Sequence, residues 1–187
     1  MDMQFHTVTT KPEVPPKVWE TISQATNEEE HLLETAPDVL QQRYKAGLSM
    51  LGFTQDEVIF HTGLTPLVRW YELGGTWTHT DWRGQKINQK AYAWFLPKHE
   101  DKMILITTTG EVSLRVGTHF GFVTIPRSIL PPDELAATCI CRAHKTGSQD
   151  PRNCLLAWSE PQQTGLKVCY VRITPQTAAR LSMQAAA

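Results

Sequence analysis

The hydrophobic pattern of the first third of the chain is helical. Pro16 suits the first turn of a short helix that runs through Val18, Trp19 and Ile22. A second helix is predicted between Ala36 and Leu51, with Thr35 as its N-cap and Gly52 as a left-handed C-terminal cap. Its apolar stripe falls at helical spacing, on Leu40, Tyr44, Gly47, Leu48 and Leu51.

After Phe53 the pattern changes to short apolar runs that favour strands. Residues 111–116 alternate strictly, with Val112, Leu114 and Val116 on one face. Pro175 then opens a short C-terminal helix. The predicted strands cover residues 58–61, 67–73, 91–96, 103–108, 111–116, 119–125, 154–159 and 167–173.

This order of elements predicts an α+β fold. We expect N-terminal helices packed on a mainly antiparallel, Trp-rich β-sheet or small β-barrel, followed by the C-terminal helix. Residues 1–16 are polar and rich in proline, which predicts a flexible arm. Residues 17–187 are then one α+β domain, with its helical part at 17–52, its β-rich part at 57–173 and its C-terminal helix at 175–184.

Four of the six tryptophans lie between residues 70 and 94, interleaved with glycines and cations. If residues 76–82 are extended, alternation places Trp77, His79 and Asp81 on one face. Aromatic rings beside cations bind bases, sugars or cationic peptides by stacking. We therefore predict a ligand surface, and the alternative is that the indoles simply pack the sheet. The predicted ligand-binding residues are Trp77, His79, Trp82, Arg83 and Lys86.

No stretch of the sequence carries a catalytic, metal-binding or cofactor-binding signature. There is no Gly-x-x-x-x-Gly-Lys phosphate loop and no Gly-x-Ser-x-Gly nucleophile elbow. Cys139 and Cys141 are separated by one residue, too few for a zinc knuckle, so with His144 they are predicted to be structural. The sequence therefore predicts no catalytic residue, no metal and no cofactor.

Composition and charge limit the class of protein and the cellular location that the sequence predicts. The chain has 187 residues, of which 41% are hydrophobic and 20% charged, and its formal net charge is −1. That balance is ordinary for a soluble protein and gives no overall attraction to nucleic acid. No apolar run suits a membrane span, and the four cysteines are expected to stay reduced in the cytoplasm. Exposed strand edges favour a homodimer.

The functional prediction from sequence is a non-catalytic binding or regulatory module with an unknown protein or small-molecule partner. Two alternatives remain open at this point. A small hydrolase-like enzyme would use His79, oriented by Asp81, as its base. A single-stranded nucleic-acid binder would stack bases on the tryptophans, with an affinity that falls steeply with salt.

Overall fold

The computed structural model describes residues 3–29, 35–55, 57–108, 111–125, 129–130, 133–134, 137 and 170–185. The described residues form five α-helices: α1 Pro16–Glu28, α2 Pro37–Lys45, α3 Ile87–Phe95, α4 Glu111–His119 and α5 Pro175–Ala185. They also form seven strands: β1 Met3–His6, β2 Ser49–Thr54, β3 Glu57–Pro66, β4 Tyr71–Thr78, β5 Ile104–Thr108, β6 Val123–Thr124 and β7 Tyr170–Ile173.

The strands belong to one mixed sheet with the order β1-β2-β3-β4-β5-β7-β6. Strand β4 pairs with β5 in parallel, whereas the β1–β2, β2–β3, β5–β7 and β6–β7 pairs are antiparallel. The predicted α+β class, with helices, a mainly antiparallel sheet and a C-terminal helix, is confirmed. The alternative of a small barrel is wrong, because the described strands form an open sheet, with β1 and β6 outermost among them.

The chain divides into two compact units, and the first comprises Met1–Thr65 and Leu73–His99. Its core is formed by α1, α2, β2 and β3. The ring centroids of Trp19 and Tyr44 lie 5.2 Å apart in this core. The Tyr44 hydroxyl donates a hydrogen bond of 2.8 Å to the carbonyl of Lys11, and burial raises the pKa of Tyr44 to about 12. The aromatic pair thus anchors both helices and the chain that precedes them.

The second unit comprises Pro66–Glu72 and Glu100–Ala187. Trp70 packs in its core with Leu105 of β5 and with Val171 and Ile173 of β7. Buried polar groups reinforce this unit. The carboxylate of Glu134 accepts the backbone N–H groups of Val68 and Arg69.

Arg172 is the second buried polar anchor of this unit. Its guanidinium donates to the carbonyls of Leu114 (2.8 Å) and Phe122 and to the hydroxyl of Thr118 (3.1 Å). The side chain thereby joins β7 to the C-terminal end of α4. Gly117 makes the approach possible, since a Cβ at that residue would lie 3.0 Å from the guanidinium.

Two predicted strands are helices in the structure. Residues 91–95 belong to α3, whose buried residues Ile87, Ala91 and Phe95 repeat every four residues, and Leu96 begins a 3₁₀ turn that follows it. Residues 111–116 belong to α4, where Val112 is exposed and Val116 is buried, so the alternation does not follow the core. The strand prediction for 119–125 is also wrong, because only Val123–Thr124 are extended in a strand.

Other helix and strand boundaries differ from the predicted ones for local reasons. The helix predicted for 36–51 ends at Lys45, because Gly47 adopts φ +72° and turns the chain into β2. Gly52 lies inside β2, where a Cβ would approach the Cβ of Phe60 to 2.9 Å. Within the predicted arm, Met3–His6 pairs with β2, and the other proposed domain boundaries stay predictions.

Some sequence predictions lie outside the described residues: the strand at 154–159 and the roles of Cys139, Cys141 and His144. Among the residues that are described, no cluster of three His, Cys, Asp or Glu side chains is arranged to hold a metal ion. None of the helices formed by these residues combines the length and apolarity that crossing a membrane requires.

Candidate functional site

The segment between β4 and α3, in the first unit, has an unusual backbone. Strand β4 ends at Thr78, and a single 3₁₀ turn follows over Thr80–Trp82. Gly84 then adopts φ +81°, and Lys86 at the start of α3 adopts φ +58°, ψ +27°. A left-handed conformation costs a residue with a side chain about 1–2 kcal/mol, and such residues cluster at functional sites.

The first turn of α3 carries backbone N–H groups that the side chain of Lys86 does not cap. Lys86 provides no side-chain cap, and the first turn contains no acidic residue. The first helical bond described runs from the Lys90 N–H to the Lys86 carbonyl, at 3.1 Å. The preceding N–H groups, of residues 87–89, have no acceptor within the helix. Together with the helix dipole, they favour an anion at this end.

Three cationic residues flank the start of α3 in the chain. Lys86 and Lys90 are exposed there, and Arg83 lies three residues before Lys86. The Arg83 guanidinium donates to the Thr78 carbonyl at 3.1 Å and forms an ion pair with Glu29. The position therefore combines backbone donors, a helix dipole and positive charge, all of which attract phosphate groups.

Hydrogen bonds hold α3 on the strands behind it. The Tyr92 hydroxyl lies 3.1 Å from the Thr76 hydroxyl, which in turn lies 2.7 Å from the Thr62 hydroxyl. In the first turn of the helix, the Thr78 hydroxyl donates to the Asn88 side chain at 3.0 Å. Burial raises the pKa of Tyr92, which keeps this phenol protonated and able to donate. These contacts fix the direction in which the helix start points.

A buried histidine lies on β3 beside the glycines of β4. The Nδ1 atom of His61 lies 2.9 Å from the carbonyl of Gly75, so this nitrogen carries the proton and donates. Gly75 adopts φ +59° at this contact. Burial lowers the pKa of His61 to about 4, so its ring is neutral at pH 7 and adds no charge.

All five predicted ligand residues lie in or beside this segment. Arg83 and Lys86 are exposed, and Trp82 is half-buried in the 3₁₀ turn instead of a strand. Trp77 is only 6% exposed on β4, so its ring cannot serve as a stacking platform. The ligand roles of His79, Trp82, Arg83 and Lys86 stay predictions.

The backbone donors at the start of α3 were missed by sequence reasoning. The strand that the sequence predicts at 91–96 leaves no place for a helix that begins at residue 87. The signal was nevertheless present, because Ile87, Ala91 and Phe95 repeat at the spacing of one helix face.

No protein-family model matches the sequence, and no curated protein matches it. Solved structures, however, share its fold. Rv2747 from Mycobacterium tuberculosis, in complex with CoA, superposes with a TM-score of 0.58 at 12% identity, over 93% of this chain and 98% of its own. The putative acetyltransferase yncA from Salmonella typhimurium, with acetyl-CoA, gives a TM-score of 0.52 at 12% identity, over 66% of this chain and 80% of its own.

The protein has a GNAT-like fold. A putative acetyltransferase from Pyrococcus horikoshii also shares this fold, with a TM-score of 0.50 and 12% identity over 66% of the chain. The match spans only 44% of that longer protein. At these identities the GNAT-like fold is what the likeness establishes.

The comparisons overturn the functional prediction from sequence. A non-catalytic binding or regulatory module is wrong, because the matching structures are acetyltransferases and CoA complexes. The hydrolase alternative is also corrected. The Nδ1 atom of His79 accepts the Asp81 N–H at 3.4 Å, and the Asp81 carboxylate lies 3.8 Å from that nitrogen and is 83% exposed. An oriented dyad needs Nδ1 to donate to the carboxylate instead.

The same comparisons overturn the nucleic-acid alternative, and one of its predicted stacking rings is buried. Base stacking requires an accessible aromatic face, and Trp77 is buried. Of the partners considered from sequence, a small molecule is the class that the structural neighbours bind.

Proposed function

We propose that this protein is an acyltransferase that takes its acyl group from acyl-CoA and binds the CoA phosphates at the start of α3. One observation carries the proposal. In a chain with a GNAT-like fold, α3 begins without a cap or an acidic residue, directly after a left-handed lysine. This proposal replaces the sequence-based expectation that no cofactor is used.

The residues present fit the chemistry of CoA. Its phosphate groups are anions that accept several hydrogen bonds, and the backbone N–H groups of residues 87–89 supply donors without a helical acceptor. Lys86, Lys90 and Arg83 supply the positive charge. When bound, acyl-CoA provides an activated thioester. The contribution of this segment is to hold the phosphates and, through the Tyr92–Thr76 and Asn88–Thr78 contacts, to keep the donors in place.

CoA binding with a strong phosphate contribution is the expected result of a calorimetric titration. We expect CoA to bind, its affinity to fall as NaCl rises from 50 to 500 mM, and pantetheine, which lacks the phosphates, to bind far more weakly. Binding of pantetheine as tight as that of CoA would contradict the proposed site. Transfer itself is checked by thiol release from acetyl-CoA in the presence of amine acceptors.

Replacing Lys86 tests the strain of its backbone and the role of its charge through two different measurements. In Lys86→Gly we expect a higher melting temperature, because glycine relieves the left-handed strain of about 1 kcal/mol. We also expect roughly tenfold weaker CoA binding, because a charged hydrogen-bond donor is lost.

The matched control for this experiment is Lys17→Ala, which removes an exposed lysine of α1. It should leave CoA binding unchanged. CoA binding by Lys86→Gly at the wild-type affinity would show that the Lys86 side chain takes no part in the site.

Two further proposals come from the sequence alone. A cytoplasmic location and a homodimer remain proposals, and the dimer argument applies to β1 and β6, the outermost of the strands that the structure describes. Strand β6 has only two residues, so β1, with four, offers the longer edge for a partner.

A further inference from the structure

The carboxylate of Glu29 is paired with a cation of the candidate phosphate site. Glu29 follows the last residue of α1, and its Oε1 atom contacts Nη2 of Arg83. The side chains are 40% and 50% exposed, so the pair lies at the surface. Arg83 is held from a second side, because its Nε atom donates to the Thr78 carbonyl.

This ion pair changes the charge that a ligand meets. Without Glu29, the segment 83–90 presents Arg83, Lys86 and Lys90 to an anion. With Glu29 in contact, one of these three charges is neutralised, and a phosphate that approached Arg83 would also approach a carboxylate. Like charges at short range repel, so phosphate and Glu29 cannot both occupy the guanidinium favourably.

We propose that Glu29 is an intramolecular competitor for the CoA phosphates: it occupies Arg83 in the free protein and is displaced when CoA binds. The inference rests on the proposed function, since it names a residue that sets affinity at that same site. A surface ion pair is worth little, so the competition should be mild. Displacement is therefore feasible at the cost of a few-fold in affinity.

The end of α1, where Glu29 lies, is also held by contacts that do not involve Arg83. Thr35, six residues after Glu29, is hydrogen-bonded to α1. Its N–H donates to the Asn27 side chain at 3.3 Å, and its carbonyl accepts from the Ser23 hydroxyl at 2.7 Å. Glu29 itself is held to the α3 side by Arg83 alone among its described contacts. Displacing the side chain of Glu29 from Arg83 therefore leaves in place the hydrogen bond that its own N–H donates to the Thr26 carbonyl, at 3.3 Å.

The opposite role for Glu29 makes the opposite prediction. If Glu29 positioned Arg83 for the ligand, removing its charge would weaken CoA binding. If it competes, removing its charge strengthens binding. Glu28 offers a matched control, because it carries the same charge one residue earlier and accepts from Gln24 at 3.1 Å instead of contacting Arg83.

The test is a calorimetric titration of full-length Glu29→Gln, Glu28→Gln, Arg83→Met and the Glu29→Gln/Arg83→Met double variant with CoA. We expect Glu29→Gln to bind CoA about two- to fivefold more tightly than wild type. Glu28→Gln should match wild type. In the Arg83→Met background, Glu29→Gln should have no effect, because the contested cation is gone.

Unchanged or weaker CoA binding by Glu29→Gln would overturn the competitor role while leaving the proposed function intact. An equal gain in Glu28→Gln would also overturn it, since the effect would then be one of general charge. If neither wild type nor any variant binds CoA, the proposed function fails, and the competitor role fails with it.

Discussion

Arg172→Met is expected to lower the free energy of unfolding by about 3 kcal/mol. The guanidinium is buried and donates to two carbonyls and one hydroxyl at the end of α4, so its removal leaves buried acceptors without donors. Urea unfolding monitored by circular dichroism measures the change.

Arg115→Met is the control for this prediction, since Arg115 is exposed on α4. Its effect should stay within about 0.5 kcal/mol. A loss of the same size in both variants would show that the buried contacts of Arg172 do not stabilise the second unit.

His61 should make the protein less stable in mild acid. Burial, opposed by the hydrogen bond to the Gly75 carbonyl and aided by the positive charge of Arg43, holds the pKa of His61 at about 4 in the folded protein, against 6.5 when unfolded. The unfolded chain therefore binds more protons between these values. Stability contributed by the neutral ring is complete above pH 6.5 and is lost as the pH falls towards 4. The full loss is about 3 kcal/mol.

Urea unfolding at pH 7 and pH 4.5 checks this effect. Wild type should lose about 2 kcal/mol more than His61→Gln over that interval. His6, whose pKa is also lowered by burial and by Lys11, is present in both proteins, so its contribution cancels in the comparison. His119→Gln, which replaces an exposed histidine, should follow the wild-type curve. Parallel curves for wild type and His61→Gln would refute the assignment.

The sequence predicts the fold class better than the identity of single elements. The stripe of Leu40 and Tyr44 correctly indicates α2, because both side chains are buried in the first core. The alternation at 112, 114 and 116 fits a strand equally well on paper. Tertiary packing decides for α4 instead, with Gly117 placed against the Arg172 guanidinium. That contact joins residues distant in the chain, so local pattern cannot reveal it.

The proposed phosphate site overlaps the segment that the sequence predicts as a ligand surface, but it relies on different chemistry. The aromatic and cationic residues predict a ligand surface at 77–86, which is the segment before α3. Their side chains suggested stacking, whereas the structure points to backbone donors and the helix dipole. Such donors depend on where a helix begins and on the left-handed backbone at Lys86. Residue types alone predict neither of these features.

The strand order has a consequence for how the protein is made. Strand β5 pairs with β7, which joins Leu105 to Ile173 and Thr108 to Tyr170. Until β7 has been synthesised, β5 lacks this antiparallel partner, and that side of β5 is an edge open to other chains. A nascent chain, or one that stops before Tyr170, should therefore depend on chaperones far more than a chain that includes β7.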